Sequence, residues 1–140
     1  MNIKINPLDQ LFSDFIRTRD NWQCQRCKDK GRNSFFKPPL RIIKKTNKYH
    51  ERHRPSTGLH NMHCFSRGNQ STRFDEKNGI AGCYGCHSFL DSHPLEKHDF
   101  FKDKIGEKAF KDLKLKSNTS AKIDRQKIKE HYQLKLKKLL

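Results

Sequence analysis

The chain has 140 residues, room for one compact domain with at most a helical appendage, and only 32% of them are hydrophobic while 33% are charged. The apolar core must therefore be small, and a further device, with metal the first suspect, has to help hold the fold. Thirty-one Lys and Arg against 15 Asp and Glu give a formal charge of +16, which repels itself unless a polyanion neutralises it. Nucleic acid is the expected partner; no apolar run approaches the ~20 residues of a spanning helix and no signal-peptide pattern opens the sequence, so no membrane partner and a cytoplasmic location are expected.

Residues 1–23 read as an N-terminal helix. Leu8, Leu11, Phe12, Phe15 and Ile16 recur at helical spacing, Asn6 can cap the helix, Pro7 suits its first turn, and Arg17 and Arg19 suit its electronegative end. Trp22-Gln23-Cys24-Gln25-Arg26-Cys27 then reads as a zinc knuckle opening a core over 24–92. A basic insertion interrupts it at about 33–57. From Lys37 to Arg54 the sequence is rich in Lys and Arg, with Pro38-Pro39 and Pro55 preventing a long helix, and Leu40, Ile42 and Ile43 offering anchorage for a partly ordered loop. His50 and His53 belong to this insertion and are expected to meet solvent or phosphate.

Leu59 to Phe65 reads as a strand, Arg67-Gly68-Asn69 as a loop, Ile80 to Gly82 as a second strand, and Tyr84 to Leu90 as a helix start. Residues 93–140 read as a basic helical extension. His93-Pro94 opens a helix that ends at Gly106, Phe110 and Leu113 continue it for a turn or two, and Ser117 to Ser120 form a hinge. Ile128, Tyr132, Leu136 and Leu139 are the apolar stripe of a last helix whose outer face is basic, and either docking alone or direct DNA contact would suit it. His93 and His98 read as surface or capping groups.

Of five cysteines, four fall in two CxxC pairs, Cys24/Cys27 and Cys83/Cys86, while Cys64 stands alone and reads as packing. Each pair forms a two-ligand turn, and four thiolates favour one tetrahedral structural Zn²⁺ that would pin the N-terminal knuckle to the second strand. A closed site of this kind performs no chemistry, which needs an open coordination position. His60, His63 and His87 offer a second, open site, able to provide both a metal and a base for phosphodiester hydrolysis. On an unbroken strand, however, His60 and His63 point to opposite faces.

The ordered set His63-Cys64-Phe65-Ser66-Arg67, Ser71-Thr72-Arg73-Phe74-Asp75-Glu76-Lys77-Asn78 and Cys83-Tyr84-Gly85-Cys86-His87 resembles the HNH or ββα-metal nucleases, and more narrowly the lambdoid phage NinG/Rap recombination endonucleases. The likeness runs on through Ile105 to Phe110 and the tail around Tyr132, omitting the insertion. It implies an α+β fold built on a small zinc-stapled ββα-metal core, and a metal-dependent DNA endonuclease acting on branched DNA or recombination intermediates in phage recombination, hence in the host cytoplasm. His63 matches the water-activating base, Asn78 the residue that braces the loop, and His87 a ligand of the catalytic metal. His60 occupies a position where relatives often carry an acidic ligand, so the catalytic divalent metal could be Mg²⁺, Mn²⁺, Ni²⁺ or Zn²⁺, with nitrogen ligands weighing against Mg²⁺. Arg67 and Arg73, flanking the loop, are candidate phosphate clamps, with Ser71 and Thr72 as further hydroxyl donors. Junction resolution would favour a homodimer. The competing expectation is a zinc-stapled DNA-binding protein that recruits recombination machinery without hydrolysing DNA.

Overall fold

The computed structural model describes residues 6–42 and 53–140, and shows an α+β fold. In chain order its elements are α1 (Pro7–Arg19), α2 (Gln25–Asp29), β1 (Leu59–His63), α3 (Gln70–Arg73), β2 (Gly79–Cys83), α4 (Tyr84–Ser92), α5 (Pro94–Ile105), α6 (Glu107–Ser117) and α7 (Arg125–Leu139). Among the described residues, none of these helices is long and apolar enough to cross a membrane.

Helix α1 forms where the stripe predicts. The Asn6 side chain accepts from the Leu8 N–H at 2.9 Å, and Leu8, Phe12, Phe15 and Ile16 are buried. Arg17 and Arg19 do more than face the helix end: Arg17 donates to the Leu59 carbonyl at 3.1 Å, and Arg19 donates to the carbonyls of Glu76 and Gly79 at 2.7 and 2.8 Å. Asp20, paired with Arg19, accepts from the Ala81 N–H at 2.9 Å, so the end of α1 is fastened to both strands. The chain then turns through Asn21 and Trp22, both in the left-handed region at φ 59° and 54°. A tryptophan there costs about 1–2 kcal/mol, offset by burying its indole and by the backbone hydrogen bonds from Trp22 N–H to Arg17 and from Phe36 N–H to Trp22, each 2.8 Å.

Strands β1 and β2 pair antiparallel with Leu59 opposite Cys83, His60 opposite Gly82 and His63 opposite Gly79, without a bulge. A side chain at Gly79 would run into Asn61 and Ile16, which explains glycine opposite His63. The first strand ends at His63, earlier than Phe65: Cys64 N–H still donates to the Asn78 carbonyl at 3.1 Å, but Phe65 N–H donates to the Asn78 side chain, Oδ1, at 2.8 Å. Beyond the hairpin, α5 stops at Gly106, whose φ of 91° favours glycine, and α6 then runs for 11 residues, longer than the expected turn or two.

The core is divided among three small clusters. One surrounds Trp22, Phe36, Leu59 and the cysteines, a second joins Met62, Cys64 and Ile80 to Leu90, Phe101, Phe110 and Leu113, and a third packs α1 with Phe74 and Tyr132. The tail is docked. Tyr132 and Leu136 of α7 are buried, and the Tyr132 hydroxyl donates to the Phe74 carbonyl. The insertion is pinned at both limbs, by Ile42 in the core, by Arg41 on Asp14 through two bonds of 2.9 Å, and by pairing of Phe36 with Arg54; Leu40 stays exposed, and Ile43 and His50 lie outside the described residues.

Candidate functional site

The two CxxC pairs meet. Cys24 caps α2, Cys83 ends β2 and Cys86 lies in the first turn of α4, and the four sulfur atoms of Cys24, Cys27, Cys83 and Cys86 all lie within 4.8 Å of one another. Cys27 Sγ is 3.9 Å from Cys83 Sγ and 3.7 Å from Cys86 Sγ, and none of the four is in a disulfide. A tetrahedron with metal–sulfur bonds of ~2.3 Å places its sulfurs about 3.8 Å apart, so the spacing suits a metal such as zinc. The Cys27 N–H donates to Cys24 Sγ at 3.4 Å and Arg26 to Cys86 Sγ at 3.5 Å, donors suited to thiolates. These four residues could therefore hold a structural metal, linking α2 to β2 and α4. Cys64 is apart from them, buried, and its thiol is pushed up to about 11 by burial, which makes it a packing group.

An open cleft of about 660 Å³ lies elsewhere on the hairpin, with His60, His63 and His87 in its wall beside Arg17, Arg67, Asp91 and Lys97. The consecutive residues Leu59, His60 and Asn61, with His63, all line it. Both histidines therefore reach one cleft although the β1–β2 register carries no bulge.

His60 Nδ1 is 2.9 Å from His87 Nδ1, with the rings at 80°. The opposite nitrogen of His87, Nε2, lies 3.2 Å from an Asp91 carboxylate oxygen, one helical turn on. A carboxylate takes Nε2 as the N–H nitrogen, leaving the Nδ1 lone pair turned toward His60, the arrangement that orients a metal-bound imidazole. Asp91 is itself held by Lys97 at 2.9 Å. Burial first, and then the charges of His87 and Arg17, hold His60 below the usual imidazole range, so its nitrogen lone pair is available at neutral pH. Among the described residues, the four cysteines are the group of three or more side chains close enough to share one metal ion; His60 and His87 bring two nitrogens together.

His63 is more enclosed. Its ring packs 6.0 Å from that of Phe12, Nε2 is shut from solvent with no hydrogen-bond partner, and burial, followed by the charge of Arg67, pushes its pKa down to about 4. Asn78 is fully buried between the strands: besides accepting from Phe65, it donates to the carbonyls of Phe65 and Thr72 at 3.0 and 3.1 Å, holding closed the loop that carries Ser66 and Arg67.

Other sequence candidates are placed differently. Arg73 points to α1 and forms a two-point pair with Asp9, outside the cleft lining, so Arg67 is the arginine of the loop that faces the site. Ser71 and Thr72 are buried, with Ser71 donating to the Lys116 carbonyl and Thr72 to that of Asn69, so they tie the loop down and present no free hydroxyl. His98 is half-buried and packs between the rings of Phe65 and Phe110; His93 is exposed and donates to the Phe89 carbonyl, as a cap would. His53 stacks on Phe35. Asp91, Ser13 and Arg17 were not singled out for the site. The four-residue step from His87 to Asp91 on one helix face was the available signal for the first. Comparison with protein-family models, with curated proteins and with solved structures finds no match.

Proposed function

We propose that the chain is a metal-dependent DNA endonuclease of the ββα-metal type, and that the cleft along β1 is its active site. The observation that carries this reading is the grouping of a facing His60–His87 pair, a carboxylate behind it, a shielded neutral His63 and Arg67 in one open cleft on a chain of charge +16. The order β1, loop, β2, α4 is the order the resemblance implies. A DNA-binding protein without hydrolysis accounts for the charge but gives the three histidines no work.

Each residue then has a separate task. His60 and His87 would hold the divalent cation, which when bound would neutralise charge at the scissile phosphate and leaving oxygen. Asp91 fixes the tautomer and direction of His87. His63 takes the proton of the attacking water, and its low pKa keeps it unprotonated at neutral pH. Such a depressed pKa makes a weak base in the free protein, and the negative charge of a bound phosphate raises it toward the useful range. Arg67 attracts the phosphate. Asn78 keeps the loop in register, so that Arg67 and His63 face the same space. Branched DNA and recombination intermediates are the proposed substrates, on the strength of the resemblance.

The test is cleavage of branched and linear DNA by purified chain with and without added divalent metal, with His87→Ala alongside. Cleavage should require the metal, and part of the activity lost in His87→Ala should return at high metal concentration. Wild-type protein with its structural metal bound that cuts neither DNA under any divalent metal overturns the reading in favour of DNA binding alone.

A further inference from the structure

Tyr84 has no packing role that explains it. Its side chain is 71% exposed, and among the described residues no other aromatic of the Phe, Tyr or Trp type is classed as exposed. It is the first residue of α4, between Cys83 and Cys86, so a metal held by those cysteines would fix its backbone. Its ring meets that of His60 edge to face, with centroids 6.0 Å apart at 87°, and His60 is half of the facing imidazole pair. The rest of the ring is open to solvent, and its neighbour His60 lines a cleft shared with Arg67, Arg17, Lys97 and Asp91, of which Arg17 is paired with Asp14 and Lys97 with Asp91.

A rigid, flat aromatic surface beside a cationic track is what a nucleic-acid base can stack on, while the track holds the phosphates. Continuous duplex does not offer a free base face, because its bases already stack on one another. An unpaired base does. Resting on the nuclease reading, we propose that Tyr84 is a stacking platform for an unpaired base next to the scissile phosphate, and that it makes the chain prefer DNA with unpaired bases at the cut over continuous duplex. The occupant is a nucleobase rather than an apolar protein surface because the chain carries a charge of +16, Arg67 lies in the wall of the neighbouring cleft, and the ring adjoins the histidine pair.

Binding can be read without cleavage, which separates this inference from the nuclease reading. Full-length His63→Ala protein with its metal bound is titrated by fluorescence anisotropy into a gapped oligonucleotide and the matching duplex, with 2-aminopurine at successive gap positions. The same is done with Tyr84→Phe and Tyr84→Ala added. Stacking predicts quenching of 2-aminopurine at one or two positions with His63→Ala alone and with Tyr84→Phe, and its loss with Tyr84→Ala. It also predicts a roughly 5- to 150-fold loss of affinity for gapped DNA in Tyr84→Ala, with duplex affinity little changed. Equal losses on both DNAs, or none, overturn the proposal, and so does a change of oligomeric state in sedimentation without a change in DNA preference, which would make Tyr84 a subunit contact. Quenching with an inactive wild-type protein would retain the platform and remove the nuclease.

Discussion

Replacing Asn78 with alanine isolates the part played by the loop brace. Asn78 is fully buried and makes three hydrogen bonds of 2.8 to 3.1 Å to backbone groups of Phe65 and Thr72. Each such bond contributes ~1 kcal/mol net, and a buried partner left unsatisfied costs ~1–3 kcal/mol, so N78A should lose about 3 kcal/mol or more. At this chain length that corresponds to a fall of about 10 °C in Tm. The isosteric N78D is the sharper probe. One carboxylate oxygen can still accept from Phe65 N–H, but the other, when ionised, faces two carbonyl oxygens. Burial and that repulsion hold the folded-state pKa of the new carboxyl above its unfolded value, so its stability is greatest when protonated and is lost as pH rises through the folded pKa. Measured by thermal and urea unfolding against wild type at each pH, the deficit of N78D should shrink as pH is lowered toward the unfolded carboxyl value of ~3.9. If N78A unfolds within about 0.5 kcal/mol of wild type, the loop is held by something else and this account of Asn78 fails.

Two further outcomes follow from the same geometry. Cys24→Ser should lose the one metal expected per chain and most of its cooperative unfolding transition, since the four thiols bridge α2 to β2 and α4; elemental analysis of folded, zinc-free wild type would contradict this. His63, pushed down to about 4 against an ordinary 6.5, should stay neutral in an imidazole NMR titration until below about pH 5. Because the folded-state pKa is the lower one, its contribution of about 3 kcal/mol is present above pH ~6.5 and is lost as pH falls toward 4; a midpoint near 6.5 would show a solvated ring.

The sequence carries its helices and the cysteine cluster plainly because both are local patterns with few alternatives: the stripe from Leu8 to Ile16 must bury one face, and paired CxxC turns need only come together once. Positions along β1 are harder. Strand alternation puts His60 and His63 on opposite faces, yet one cleft collects both, a fact that belongs to the packing around the strand and not to the strand itself. The arginines show a similar limit. Arg67 and Arg73 look equivalent in the sequence, but Arg73 meets Asp9 across a separation of 64 residues, a pairing no local pattern contains. Arg17 and Arg19 show it too: they stand in the last turn of α1 as expected, but their further bonds to carbonyls of the distant hairpin are contained in no local pattern. Asp91 is a different case, since its helical step from His87 was legible, and its meaning depended on knowing that His87 presents Nδ1 to His60.

The most direct test of the site is single-turnover cleavage of DNA by wild type and His63→Ala at saturating divalent metal. General-base action typically contributes ~10²–10⁴ in rate, so His63→Ala should slow the cleavage step by about that factor while retaining its structural metal and DNA affinity. Cleavage by His63→Ala at the wild-type rate, with the same metal content and the same affinity, would contradict the assignment of His63 as base and with it the proposed active site.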